Sequence, residues 1–207
     1  MTREPPNVDL YCNVMEDIKR RTAVVWSFLN GKSSTIYKAT TIESVCLQVR
    51  KILELIALGS LVANKSEFAE QNENFGGLWN ARLILKDLGR LNPYFYPKPI
   101  REVPGARPGV KSDLQDIKEG FLTKDEFIKV YEKCGRMMHS DNPYGGKADY
   151  RYYDKSIPKW MEEIRVLLNS HTIRLMNDDN MYLIHMKEER DDRVHGYTFA
   201  PAKGRQA

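Results

Sequence analysis

The sequence predicts a mainly α protein, a bundle of about five to six helices carrying a C-terminal β-hairpin or small three-stranded antiparallel sheet. Three observations carry this. Apolar residues recur at three- and four-residue steps over most of the first 170 positions; capping residues and Asn, Gly and Pro punctuation bound those stretches; and beyond them the period shortens to two. At 207 residues, 42% hydrophobic and 29% charged, the chain can bury one full core. We therefore expect a single domain over 1–207, with a bundle at 8–170, a Pro-rich excursion at 92–111 and a β appendage at 171–200.

Asn7 or Asp9 can cap a first helix with Tyr11, Val14, Ile18, Val25 and Leu29 on one side, stopped by Asn30-Gly31. Residues 41–63 repeat Ile42, Val45, Cys46, Val49, Ile52, Leu53 and Ile56 against a polar stripe of Glu43, Arg50, Lys51 and Glu54. That stripe vanishes after Glu54, so the second half should be buried on most sides, with Gly59 admitting a close neighbour; this is the expected central helix. A short polar helix is expected at 66–74, and another at 78–91 with Trp79, Leu83, Ile84 and Leu88 inward and Asn92-Pro93 ending it. Five prolines between 92 and 111 exclude a helix there and leave a long excursion. Thr123 and Glu126 form a capping box for a helix to about 138, with Phe127, Val130, Tyr131, Cys134, Met137 and Met138 on one face. A last helix is expected at 156–170. Residues 172–186 read as a β-hairpin turning at 177–180, and 194–199 as a third strand.

A formal net charge of +4 is too small to act alone as a footprint for nucleic acid, so any basic patch must be local. The N-terminus has acids and prolines where a secretory signal needs a basic start and an apolar run, and the longest uncharged apolar run, 55–64, falls far below the roughly 18 to 20 residues of a membrane span. A cytoplasmic protein is expected, with Cys12, Cys46 and Cys134 as reduced, packed thiols.

Chemistry concentrates where a helix gives way to a polar loop, in Tyr131-Glu-Lys133-Cys-Gly-Arg136-Met-Met-His139-Ser-Asp-Asn142-Pro-Tyr-Gly. At about 100° per residue His139 falls on the rim of the apolar face near Gly135, whose missing side chain leaves space beside the imidazole. A neutral imidazole there can accept a 2′-hydroxyl proton while a guanidinium holds the phosphate. The other reading is that His139 bonds the last helix carbonyls and Asn142 forms the following turn. Arg50 and Lys51 could line a groove with His139, or form a solvated stripe in which Arg50 pairs with Glu54. Tyr94 and Tyr96 interleave with Lys98, Arg101 and Arg107, which suits stacked bases and tracked phosphates, or a loop whose aromatics pin it to the core. A further cluster, Tyr144, Tyr150, Tyr152 and Tyr153 with Arg151, has the same two readings. His139, His171, His185 and His195 lack metal-ligand spacing, although His185 and His195 could face each other across paired strands; no metal and no cofactor is expected.

The leucine-rich helix containing Val49-Arg50-Lys51-Ile-Leu-Glu54-Leu-Ile, paired with a later helix ending in His139 and an Asn-Pro turn, resembles the HEPN superfamily of small helical bundles. The resemblance implies a metal-independent RNase that dimerises to pool arginine and histidine, with His139, Arg136, Lys133 and Asn142 at the catalytic position, or a relative that has lost catalysis and binds RNA. The superfamily motif sets four to six residues between its arginine and the histidine. Here those places hold Glu132, Lys133 and Cys134, and Arg136 is separated from His139 by two residues. Residues 49–65, 92–99 and the His139 segment also resemble an uncharacterised bacterial family, which brings no activity with it. Two functions follow as expectations: a HEPN-like homodimer associated with RNA or a partner in a bacterial regulatory or defence system, or a protein–protein interaction module without catalysis.

Overall fold

Asn7 starts the first helix, its Oδ1 accepting the Leu10 amide at 2.8 Å, one of the amides a helix start leaves unpaired. Helix α1 (Val8–Leu29) ends at Asn30, where Gly31 takes φ +69° and turns the chain. Its buried residues Tyr11, Met15, Ile18 and Val25 lie against α2 (Lys38–Ala63). Gly59 is the close approach: a Cβ there would stand 2.9 Å from Met15 Cε and 3.3 Å from the Tyr11 ring. As the fading polar stripe predicts, α2 is central and touches α1 and the three helices described below. The computed structural model describes residues 7–65, 68–69, 75–107, 109–175 and 178–200. The helix expected at 66–74 lies largely outside them.

Helix α3 (Ala81–Leu91) begins later than the sequence predicts, because the Asn80 side chain caps it by accepting the Leu83 amide. That start turns Ala81, Ile84, Leu85 and Leu88 inward and leaves Trp79 (66% exposed) and Leu83 (48%) outside, contrary to expectation. Helix α4 (Lys124–Arg136) has the expected capping box, with Thr123 Oγ1 accepting the Glu126 amide and Glu126 Oε2 accepting the Thr123 amide at 3.2 Å. Helix α5 (Tyr150–Leu168) starts six residues ahead of the expected 156, capped by Asp149, so that Pro158 lies inside it.

The fold class is corrected here. Among the described residues five α-helices (52% helical) stand beside a five-stranded antiparallel sheet, a mixed α/β architecture and not a mainly α bundle with a small appendage. The excursion at 92–111 contains β1 (Lys98–Pro104), followed by β2 (Ser112–Asp116); the C-terminal strands are β3 (Ser170–Ile173), β4 (Met181–His185) and β5 (His195–Phe199). Their order is β2-β1-β3-β4-β5, so the expected three-stranded unit continues into β1 through Lys98↔Thr172 and Pro99↔His171. Proline did not prevent this. Pro99 keeps its carbonyl in the ladder, accepting the Ile117 amide at 3.1 Å, and forfeits only one donor.

The registers assign the two faces of the sheet. His171, Ile173, Tyr182 and Ile184 point toward the helices, and all are buried. Ile100, Leu183, His185, Glu102 and Tyr197 share the opposite face, and Ile100 and Leu183, though buried, do not join the main core. A buried amide pair fastens the chain between bundle and sheet: Asn92 Nδ2 donates to Asn64 Oδ1 (2.8 Å) and to the Arg174 carbonyl (3.0 Å). Among the described residues no helix is long and apolar enough to cross a membrane.

Candidate nucleic-acid interface at the end of α4

The last turn of α4 carries Lys133 and Arg136, cations that complement the partial negative charge of a helix C-terminus. Past the Met137 cap the chain enters a loop closed by its own hydrogen bonds. The His139 amide donates to the Arg136 carbonyl, Asn142 Oδ1 accepts the Tyr144 amide at 3.0 Å, and the Gly145 amide donates to the Asn142 carbonyl at 2.9 Å. Asp141 Oδ2 accepts the Ala148 amide at 2.9 Å, and Arg136 Nη2 reaches the Gly146 carbonyl at 3.5 Å. Asn142 therefore builds the turn, while the His139 ring is exposed and makes no side-chain hydrogen bond among the described residues.

The space at Gly135 belongs to Arg50 of α2. A Cβ at 135 would stand 2.5 Å from Arg50 Nη1. The guanidinium lies 3.8 Å over the Tyr131 ring, donates from Nη1 to the Tyr131 carbonyl (3.1 Å) and from Nη2 to the Tyr131 hydroxyl (2.6 Å), and its Nε sits 3.3 Å from Glu54 Oε1. The expected Arg50–Glu54 pair thus exists, extended by Tyr131, whose hydroxyl donates to Glu54 at 3.3 Å. Burial raises the Tyr131 phenol and Arg50 opposes that rise. Beneath this network the Cys134 thiol, hydrogen-bonded to Cys46 and buried, is held well toward its protonated form. With its side chain 18% exposed, Arg50 is a joint between α2 and α4 and not a free liner of a groove; Lys51 is half-buried on the same helix.

Three contacts bring further elements to this end. Lys133 Nζ lies 4.4 Å over the Tyr152 ring, the Tyr150 hydroxyl donates to Glu43 at 2.8 Å, and Lys38 pairs with Asp154 at 2.6 Å. The loop before α2, with exposed Ile36 and Tyr37, therefore sits beside the start of α5. Among the described residues Lys133, Arg136, Lys147 and Arg151 are exposed and form no ion pair, and Tyr144 is 100% exposed. The tyrosine cluster splits: Tyr153 is buried and donates to the Lys133 carbonyl, Tyr152 is partly covered, and Tyr144 stands free.

Residues of the Pro-rich segment scatter. The Tyr96 hydroxyl donates to the Leu122 carbonyl at 2.9 Å, pinning the ring as the packing alternative predicts, and burial pushes that phenol upward. Lys98 is paired with Asp116 at 2.6 Å. Arg101 lines an open depression of about 810 Å³ along β2 whose rim also holds Asp116 and Glu119. Tyr94 and Arg107 are exposed.

Sequence reasoning missed a polar cluster on the outer face of the sheet. His185 and His195 are register partners, as expected, and Glu102 arrives from β1. His185 Nδ1 lies 2.7 Å from Glu188 Oε1; its Nε2 lies 2.8 Å from Glu102 Oε1, in ion-pair range but off the hydrogen-bond direction. The Tyr197 hydroxyl also donates to Glu188 at 2.8 Å, and the two contacts hold that carboxyl below its usual range. With a carboxylate against each ring nitrogen, His185 ties β1 to β4 and leaves no nitrogen for a substrate. Only the alternation of β4 and β5 hinted at this cluster, since Glu102 is remote in sequence. Among the described residues no group of three or more His, Cys, Asp or Glu side chains is placed to hold a metal ion.

No family model, no curated protein and no solved structure matches the chain. Nothing in these comparisons identifies the HEPN superfamily; that likeness rests on the sequence of the 49–56 helix and the His139 segment alone.

Proposed function

We propose that this is an RNA-associated protein whose contact surface is the end of the molecule formed by the α4 C-terminus, the 137–149 loop and the start of α5. One observation carries the reading: Lys133, Arg136, Lys147 and Arg151 stand exposed together without carboxylate partners, although the chain as a whole is only slightly basic. Several surface cations find acids, as Lys38 at this same end and Arg82, Lys98 and Arg165 on other elements do. Four that do not, beside an exposed imidazole, suit a polyanion.

The proposal ends at binding. The Arg136 guanidinium is directed at a loop carbonyl, and among the described residues no side chain bonds the His139 ring, so neither a phosphate clamp nor a general base is held in place there. The test is fluorescence anisotropy with a labelled RNA across a salt series. Three or four phosphate contacts give log K against log salt a slope of roughly −2 to −3 for a single strand. Replacing Arg136, Lys147 and Arg151 together by Ala should reduce that slope by about 2. No binding at 50 mM salt, or an unaltered slope in the triple variant, refutes the surface.

A further inference from the structure

The cations at this end are interleaved with rings, and the rings differ in what they can do. Tyr153 is buried and Tyr150 is tied to Glu43. Tyr152 has the Lys133 ammonium 4.4 Å over its ring and meets Tyr153 and Trp160 edgewise. Tyr144 is fully exposed, yet its backbone is not loose: Pro143 precedes it, its amide is held by Asn142 Oδ1, and the Gly145 amide is held by the Asn142 carbonyl. A ring projecting from a pinned turn, with both π-faces open, loses little freedom when a planar group settles on it.

Resting on the RNA reading above, we infer that the ligand is single-stranded RNA, with an unpaired base stacked on Tyr144 while Lys133, Arg136, Lys147 and Arg151 follow the adjoining phosphates. The physical reason is access. In a duplex the base faces are already stacked on one another, and an A-form helix offers a protein only phosphates, 2′-hydroxyls and base edges, so an outstanding tyrosine gains nothing from it. An unpaired strand offers a π-face at every nucleotide, and stacking is tolerant of sequence because all four bases have one. Stacking and phosphate contacts carry no sequence information, so the inferred preference is for strandedness and not for a motif.

The test compares a labelled U15 strand with a 15-base-pair RNA duplex by anisotropy at 50 mM salt, using wild-type, Tyr144→Ala and Tyr144→Phe proteins. We expect U15 to bind more tightly than the duplex, Tyr144→Ala to weaken U15 by about 5- to 100-fold with duplex affinity unchanged, and Tyr144→Phe to retain U15 binding. Because the Tyr144 side chain is fully exposed, the melting temperature should be the same in all three proteins, which excludes misfolding as the cause. If U15 and duplex bind alike with a normal salt slope, or Tyr144→Ala leaves U15 unaffected, the stacking inference is overturned and the phosphate surface survives. Absence of binding to either RNA overturns both.

Discussion

Lowering the pH should destabilise the fold through one buried side chain, His171. Its ring is enclosed between α1 and the sheet, with Nδ1 donating to the Leu168 carbonyl at 2.8 Å and Nε2 accepting from the Tyr11 hydroxyl at 2.8 Å. Both nitrogens are satisfied in the neutral ring, and a second proton would place a charge in an enclosed site away from water. Burial lowers the His171 pKa from 6.5 to about 4, with the nearby His185 adding to the depression and the Leu168 bond opposing it. In the unfolded chain the imidazole titrates at its ordinary value. Above pH 6.5 both states are neutral and the full stability is present. Between pH 6.5 and pH 4 the unfolded state takes up a proton that the folded state refuses, so stability falls with pH, and below pH 4 the loss is complete. At about 1.4 kcal/mol per pH unit of differential protonation, the contribution between pH 7.5 and pH 5 is a loss of about 2 kcal/mol. Urea denaturation of wild type and His171→Gln at both pH values isolates the effect, since carboxylates and the other histidines contribute equally to both proteins. Wild type should lose about 2 kcal/mol more than the variant over this interval. An equal loss in the two proteins would mean that the ring is not kept neutral by burial, and the account of the α1–sheet contact would be wrong.

Two more perturbations probe the scaffold of the proposed surface. Gly135→Ala drives a methyl to 2.5 Å from Arg50 Nη1 and should cost about 1–2 kcal/mol by displacing the guanidinium from Tyr131, whereas in an Arg50→Ala background the same change should be neutral or stabilising, since Ala favours helix. A double-mutant cycle by chemical denaturation therefore gives a coupling of about 1–2 kcal/mol, and additivity within experimental error removes the Arg50–Gly135 joint. Thr123→Ala breaks the capping box of α4 and should lower stability by about 1 kcal/mol, seen as a shifted urea midpoint with an unchanged slope.

The helices were legible because their signals are local. Asn7, Asn30-Gly31 and the Thr123/Glu126 box lie next to the turns they start or stop, and the loss of polar residues after Glu54 marks α2 as central. Where a local signal was misread, a single cap decided it: Asn80 fixed the start of α3 and turned Trp79 and Leu83 outward, and Asp149 began α5 ahead of Pro158. Of the proposed surface, Lys133, Arg136, Asn142 and, with the tyrosine cluster, Arg151 stand out in the sequence, as does the alternative in which Asn142 makes a turn; Lys147 does not. That Gly135 serves Arg50 instead of His139 could not, because it depends on the rotation of α2 against α4.

Sequence by itself determined most of the helical stretches, where most of them stop, and that strands follow within 171–200. Tertiary structure alone decided that residues 98–116 join those strands. Strand pairing is a contact between segments some seventy residues apart, whose hydrogen bonds leave no periodic trace in a stretch interrupted by prolines. It also decided which of several tyrosines and cations stand free, since exposure depends on what the rest of the chain places beside each side chain.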